Sequence, residues 1–351
     1  MRQDYFHEAA TGRLIAAESP GTTSGPTSGP ASGATPVWTD LLAPTPAEEA
    51  AVEAELGIDL PTREDMREIE PSARIYSADG ALFTTANVLA GAATAEPVTE
   101  PVTFVLTAER VVSIRYHEPY ALQNVPQRAA GLQADCATPP RMLMTLMEVL
   151  VERCADILET ESQAVDALSR QIFQPGTGKG MGKGKAAVDL SAVITRIGRH
   201  GELNARLQDS LVTIERIVTH LAQMRLAARR ARQDAAGDAP AAPGLGLNGR
   251  DKRLLRDIRS LIAYAQAQSQ RVTFMLDATL GLLNIQQNGI IKIFSVAAVV
   301  FLPPTLIASV YGMNFDHMPE LAAPYAYPLA LGGMVLSAIL PYLFFKRKGW
   351  L

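Results

Sequence analysis

Hydrophobic and polar positions are unevenly distributed along the chain, and the two most apolar stretches lie at its C-terminal end. No charged residue occurs between Ile293 and Val310, and none between Leu321 and Phe345. A bilayer core roughly 30 Å thick needs about 20 apolar helical residues, so both stretches are long enough to span it. Neighbouring helices and local adjustment allow proline inside such spans. The pattern therefore predicts two transmembrane helices.

The charges around these spans indicate their orientation. The short connection between them contains Asp316 and Glu320 and no lysine or arginine, whereas Lys346, Arg347 and Lys348 directly follow the second span. Cytoplasmic loops carry the excess of basic residues in membrane proteins. We therefore expect both termini to be cytoplasmic and the connection to be external.

The residues before the spans predict an α+β cytoplasmic domain. Residues 19–36 are rich in Gly, Pro, Ser and Thr, so we expect a disordered lead over residues 1–37 and order from about Trp38. Thr45-Pro46-Ala47-Glu48 has the form of a capping box that opens a helix. Runs of β-branched and aromatic residues predict strands of a mixed or antiparallel sheet at 73–76, 81–88, 102–106 and 110–116.

From Pro140 onward the hydrophobic period becomes helical and predicts long helices. One helix extends to about Phe173, a second covers about 187–235, and a third runs from about Asp251 to Tyr311. At 1.5 Å per residue the third would be roughly 90 Å long. The glycine- and lysine-rich run at 176–185 lacks the spacing of a phosphate-binding loop and is interpreted as a flexible connection.

The most informative pattern appears when the third helix is read in alternate steps of four and three residues. These steps place one seam of polar and small residues, with two apolar positions, along a single side of the helix. The seam comprises Asp277, Gly281, Asn284, Asn288, Ile291, Ser295, Ala298, Leu302, Thr305 and Ser309. Polar groups are costly in lipid, so the seam is expected to face other helices or water.

Two interpretations of this seam remain open from periodicity alone. In the first it is a dry contact between helices, with hydroxyl groups bonded to backbone carbonyls. In the second it lies on the axis of a ring of identical helices and lines a water-accessible pore, where Ile291 and Leu302 form apolar constrictions that can lose water.

Composition excludes several classes of protein. The chain has 351 residues, 48% of them hydrophobic, with 36 acidic and 32 basic side chains. This balance speaks against a nucleic-acid-binding protein, which would carry a basic stripe. The two cysteines are too few and too far apart for a disulfide framework or a CxxC metal site. The five histidines are scattered, and no spacing of nucleophile and base indicates an enzyme.

The residues after the seam carry a family resemblance. Tyr311-Gly312-Met313-Asn314 is followed by Phe315-Asp316-His317-Met318-Pro319-Glu320-Leu321 at the external end of the first span. With Lys-Arg-Lys-Gly-Trp-Leu at the terminus, this arrangement resembles the CorA family of magnesium transporters. The stretches Gln287–Ser295 and Val300–Thr305 are especially similar to its enterobacterial branch. The clear resemblance covers about residues 250–351, and a weaker one covers Thr45–Tyr76 and Ile114–Tyr116.

The resemblance implies a homopentamer in the cell inner membrane that carries Mg²⁺ inward, and possible transport of Co²⁺ and Ni²⁺. Gly312, Met313 and Asn314 would form the outer mouth, where neutral amide oxygens suit a hydrated ion because Mg²⁺ gives up water reluctantly. Asp316 and Glu320 would concentrate cations outside. Asn284, Asn288 and Thr305 would be further stations and Asp277 an inner charged ring.

In the family, Mg²⁺ bound between cytoplasmic domains holds the closed state. Asp251 and Asp257 are candidate regulatory ligands here, and the alternative is that they are ordinary acids on a helix surface. Other functions also remain open. A zinc carrier of the same superfamily is one, although Met313 favours magnesium, and a membrane-anchored sensor that transports nothing is another.

The resulting organisation has seven segments. They are a lead at 1–37, an α/β regulatory domain at 38–249, a stalk helix at 250–290, a pore helix at 291–311, an external loop at 312–324, a second span at 325–345 and a basic tail at 346–351.

Overall fold

The computed structural model describes residues 1–8, 13–16, 35–94, 96–131, 135–173, 189–234, 249–313 and 324–349. Residues of the chain divide into two compact units. The first comprises Met1–Val188 and Ala192–Phe274, and the second comprises Asp189–Ser191 and Met275–Leu351.

A mixed seven-stranded sheet forms the centre of the first unit. Its strands are β1 (Arg2–Glu8), β2 (Arg13–Ala16), β3 (Trp38–Leu42), β4 (Ile75–Ala78), β5 (Ala81–Ala90), β6 (Val98–Leu106) and β7 (Val111–Arg115), in the order β2-β1-β3-β7-β6-β5-β4. Only β3 and β7 pair in parallel, with Trp38 opposite Val111 and Leu42 opposite Arg115. The other pairings are antiparallel. This confirms the prediction of a mixed sheet.

Helices of the first unit pack on both faces of the sheet, and the chain contains further helices outside that unit. The long helices are α5 (Pro139–Phe173), α6 (Leu190–Asp234), α7 (Arg250–Tyr311) and α8 (Ala326–Arg347), and the shorter ones are α1 (Pro46–Leu56), α2 (Pro71–Arg74), α3 (Tyr120–Gln123) and α4 (Val125–Gly131). Because side chains alternate between the faces of a strand, neighbours in sequence enter different cores. Phe104 packs in the core that includes residues of α5 and α6, and Val105 packs in the core that includes Val52 of α1.

The start of α1 follows its local sequence closely. The Thr45 side chain accepts a hydrogen bond from the Glu48 amide at 3.3 Å, and Glu48 accepts one from the Thr45 amide at 2.9 Å. Both halves of the predicted capping box are thus present, with Pro46 in the first turn. The backbone amide of Thr45 is the main reason that the pKa of Glu48 falls to about 2. Gly57 ends the helix in a left-handed conformation, with φ of 66°.

The prediction that order begins near Trp38 is wrong. Residues Arg2–Glu8 form β1, which pairs on one side with β2 and on the other with β3. Tyr5 stacks on Trp38 with ring centroids 4.2 Å apart. Sheet pairing and this aromatic contact order the segment even though the residues after it are poor in apolar side chains. Of the expected lead, residues 9–12 and 17–34 lie outside the described residues.

Two smaller expectations also differ from the structure. The run Thr62-Arg63-Glu64-Asp65 also predicts the start of a helix that Pro71 ends. The structure has instead a single 3₁₀ turn at Asp65–Arg67, and Pro71 begins the short helix α2. Strand β3 was not anticipated, and its Asp40 side chain is buried against Arg115 of β7 with a 2.7 Å ion pair. The glycine- and lysine-rich run at 176–185 lies outside the described residues.

The second unit contains the apolar C-terminal segments. Helix α7 enters it at Met275, and α8 lies entirely within it. Both helices are long and apolar enough to cross a membrane. Almost none of their most apolar parts is buried within the chain. The predicted fold class, an α+β domain followed by a long helix and a second apolar helix, is confirmed.

Candidate functional site

The polar seam of α7 is exposed along its whole length in the single chain. This holds for Asp277, Asn284, Asn288, Ile291, Ser295, Ala298, Leu302, Thr305 and Ser309. The two apolar members are among the most exposed large hydrophobic side chains of the protein, Ile291 at 61% and Leu302 at 65%. The structure therefore leaves every predicted pore-lining residue available to contact something outside the chain.

The buried and half-buried positions in the membrane part of α7 lie on a different side of the helix from the seam. Val296 is only 6% exposed, and Val300, Pro303 and Ile307 are half-buried. At about 100° per residue, these four positions are centred about 150° around the helix from the seam. In α8 the half-buried positions also form one stripe, which includes Ala330, Met334, Ser337 and Pro341. The membrane part of α7 thus has one side covered within its own chain and the seam on nearly the opposite side.

Thr305 is the one seam residue of the span with a described side-chain hydrogen bond. Its hydroxyl donates to the carbonyl oxygen of Phe301 at 2.7 Å. The donor is thereby used within the helix, and the oxygen keeps lone pairs that can accept a hydrogen bond from water. Pro303 and Pro304 lie just before it inside the helix and supply no backbone N–H to the turn before them.

The first two residues of the predicted mouth, Gly312 and Met313, directly follow the end of α7. Helix α7 ends at Tyr311, and the amide of Gly312 donates to the carbonyl oxygen of Ala308 at 2.9 Å. A β-carbon at Gly312 would lie 3.0 Å from that same oxygen, so a larger residue would press on the backbone. Met313 is exposed. Asn314, Asp316 and Glu320 lie outside the described residues.

The two candidate regulatory acids have very different surroundings. Asp251, in the first turn of α7, is fully buried, and Arg225 of α6 donates to one of its carboxylate oxygens at 2.8 Å. Its other carboxylate oxygen, Oδ1, is buried and has no hydrogen-bond partner among the described residues. Asp257 is exposed and lines a cleft of about 700 Å³ between α5 and α7. Of the two, Asp257 alone is accessible to an ion from solution.

The cleft beside Asp257 contains acids that sequence reasoning missed. Asp135, Glu148 and Glu152 line it together with Arg250 and Arg253. Glu148 and Glu152 are four residues apart on α5, and this spacing on one helix face is the signal that could have identified them. Arg250 donates to Glu148 from Nε at 2.9 Å. Among the described residues, no three His, Cys, Asp or Glu side chains lie close enough together to hold a metal ion.

The two cysteines behave as buried apolar residues. Burial raises the pKa of the Cys154 thiol to about 12, and it also raises the pKa of Cys136. Both side chains are buried in the core of the first unit. Because the thiolate is the reactive form, neither is suited to act as a nucleophile at neutral pH.

Comparisons with known proteins support one family. Residues 33–347 match the family model described as "CorA-like Mg2+ transporter protein". The chain is 33% identical over 315 residues to the magnesium transport protein CorA of Escherichia coli (strain K12), covering 90% of this chain and 92% of the relative. It is 32% identical over 318 residues to CorA of Yersinia pseudotuberculosis serotype I, covering 91% and 93%.

Solved structures share the fold. The complete structure of the CorA magnesium transporter from Methanocaldococcus jannaschii superposes with a TM-score of 0.68 at 15% identity, covering 100% of this chain and 99% of that one. The full-length CmaX protein superposes with a TM-score of 0.59 at 14% identity, covering 99% and 97%.

Proposed function

Because this chain belongs to the family of CorA-like Mg²⁺ transporters, we propose that several copies of it form a ring in which the seam of α7 lines an axial pore for Mg²⁺. Membership of a transporter family confirms the prediction that the chain is not an enzyme. In this proposal the ring is a homopentamer in the inner membrane, with both termini in the cytoplasm. Transport of Co²⁺ and Ni²⁺ through the same pore belongs to the proposal as well.

The observation that carries the proposal is the exposure of the seam opposite the buried and half-buried side of α7. A dry contact within the chain would have covered Ser295, Thr305 or Ser309, and all three are exposed. Hydroxyl and amide groups are costly against lipid, so these side chains need either neighbouring helices or water. A ring of copies with α8 outside supplies both.

The mouth of this pore is proposed to consist of Gly312, Met313 and Asn314. A hydrated Mg²⁺ ion presents water molecules, which donate hydrogen bonds, so a ring of amide oxygens is a suitable acceptor. Gly312 brings the backbone close to Ala308 at the end of the helix, where a side chain would be crowded. Asp316 and Glu320 would raise the local concentration of cations before entry.

Membrane potential is proposed to drive uptake. A divalent ion moving inward gains about 4.6 kcal/mol per 100 mV, twice the value for a single charge. Closing the pore then requires a signal from inside the cell, and we propose that the first unit receives this signal. Asp257 is the accessible candidate for a regulatory Mg²⁺ ligand, whereas Asp251 is buried and paired with Arg225.

Magnesium uptake into proteoliposomes tests the proposal. We expect Asn314→Ala to reduce the flux at least about tenfold, since each copy in the ring loses an acceptor for the ion's water shell. His317→Ala, in the same connection, serves as the matched control and is expected to transport at the wild-type rate. Equal flux through the wild type and Asn314→Ala would contradict the proposed mouth.

A further inference from the structure

A second cleft in the first unit has the opposite charge character to the cleft beside Asp257. It has a volume of about 470 Å³ and lies between α6 and α7, with Ile75 of β4 at its edge. Among the described residues, its lining contains three groups able to carry positive charge and a single carboxylate. The residues are Ile75, Glu215, Arg216, Thr219, His220, Gln223 and Arg259.

The donors in this cleft are available. Arg259 uses its Nε to bind Glu215 at 2.7 Å, and no other hydrogen bond of its guanidinium joins it to a described residue. Within the described part of the chain, the side chains of Arg216, His220 and Gln223 have no hydrogen-bond or ion-pair partner. An unpaired guanidinium presents a planar fork of N–H donors that matches phosphate oxygens.

The positive charge continues along α7 beyond the cleft. Lys252 and Arg256 precede Arg259 by seven and three residues, so the three lie on one side of the helix, within about 60° of each other. Both are exposed and neither forms an ion pair with a described residue. In a chain with a formal charge of −4, α7 therefore adds exposed cationic groups to those that line the cleft.

We propose that this cleft binds a small polyphosphate, the chemistry shared by pyrophosphate and by the phosphate tail of a nucleoside triphosphate. Arg216 and Arg259 hold the phosphate oxygens, and His220, Thr219 and Gln223 supply further polar contacts. The volume lies in the range of about 300–1,000 Å³ that is usual for small-molecule sites, which favours a small ligand over a nucleic acid or a membrane surface. The site is separate from the seam and does not depend on the proposed transport.

Calorimetric titration of the purified full-length protein in detergent tests this site. The titrants are ATP without metal, pyrophosphate and adenosine. We expect ATP and pyrophosphate to bind, adenosine not to bind, and affinity to fall with rising salt because the contacts are ionic. Binding of adenosine alone would show that the cleft recognises the base, and failure of both phosphate compounds to bind would overturn the proposal.

Three variants separate the site from general surface charge. Arg216→Gln and Arg259→Gln should each weaken binding about tenfold, the effect of losing a charge-assisted hydrogen bond. Glu215→Gln should strengthen it severalfold, because it removes the one acid among the described residues of the lining and releases Arg259. A gain in affinity is not produced by misfolding, so this variant keeps the test decisive if an arginine variant is unstable.

Arg229→Gln is the matched control. Arg229 is exposed on α6, thirteen residues after Arg216 and about 140° around the helix from it. It should bind the phosphate compounds as the wild type does. Equal weakening by Arg229→Gln and Arg216→Gln would show unspecific attraction and contradict the site. RNA and vesicles of anionic lipid are titrated in the same way, and binding confined to either of them would also contradict it. Absence of Mg²⁺ uptake by the wild-type protein, with its pyrophosphate binding intact, would count against the transport proposal alone.

Discussion

The sheet of the first unit and the apolar end of α7 use the same kinds of side chain in opposite ways. Phe104 on β6 is completely buried between the sheet and its helices, whereas Phe301 on α7 is 70% exposed. The first unit therefore buries a large apolar core within one chain. The spans leave their apolar side chains exposed on the single chain, and the polar seam among them is the part that lipid alone would not accommodate.

The largest difference is expected from truncating one phenylalanine in each region. Phe104→Ala should destabilise the first unit by about 3–5 kcal/mol, because it removes a buried ring and leaves a cavity. Phe301→Ala removes no packing within the chain and should leave the unfolding of that unit unchanged. Urea unfolding in detergent, followed by circular dichroism, measures both. Equal destabilisation by the two variants would remove the distinction between the regions.

The ion pairs of the first unit extend the comparison to buried and exposed charges. Arg115 binds Asp40 through both Nε and Nη2, and only about a twentieth of either side chain is exposed. Arg115→Met leaves the Asp40 charge buried and unpaired, and should cost about 3–5 kcal/mol. Arg206→Met removes an exposed pair with Glu202 in one helix and should cost about 0.3–0.5 kcal/mol. A similar loss in both variants, by the same urea titration, would contradict the assigned burial.

Two exposed isoleucines of α7, two residues apart in sequence, lie on different sides of the helix. Ile291 lies on the seam and Ile293 about 200° further around the helix, and they are similarly exposed at 61% and 66%. Ile291→Ser should raise the resting ion leak severalfold, because a hydroxyl holds water where an apolar constriction excludes it. Ile293→Ser carries the same change away from the seam and should not. The rate of ion leak from proteoliposomes is measured for both variants. Equal rates would show that Ile291 does not form a constriction.

The smallest predicted effect concerns acid and the start of α1. The pKa of Glu48 is lowered from 4.5 to about 2, chiefly by the Thr45 amide. Its contribution to stability is therefore complete above about pH 4.5 and is lost as the pH falls toward 2. Glu48→Gln should flatten the pH dependence of unfolding in this window. An unchanged dependence between pH 5 and 2 would show that the capping box does not contribute.

Local patterns in the sequence account for much of the fold. The capping box at Thr45, the long helices and the seam of α7 depend on residues within one or two turns of each other, and periodicity identifies them. The family resemblance, which rests on the residues around Gly312, is confirmed. Whether the seam lines a pore remains a prediction, since it depends on neighbouring copies.

The features that sequence reasoning missed depend on contacts between distant residues. Strand β1 is ordered by pairing with β3, some thirty residues later, and the burial of Asp40 depends on Arg115. Asp251 was read as a surface acid or a metal ligand, and its partner Arg225 is on a different helix. No local pattern identifies such partners, because the fold alone brings them together.

Water access along α7 tests the central claim most directly. We propose to compare Ser295→Cys with Val296→Cys by reaction with a charged, membrane-impermeant methanethiosulfonate in proteoliposomes, where the native Cys136 and Cys154 are buried and give little background. The account predicts rapid modification at position 295 with loss of Mg²⁺ uptake, and little reaction at the adjacent position 296. Equal rates at the two positions, or no reaction at either, would contradict a wet pore along the seam.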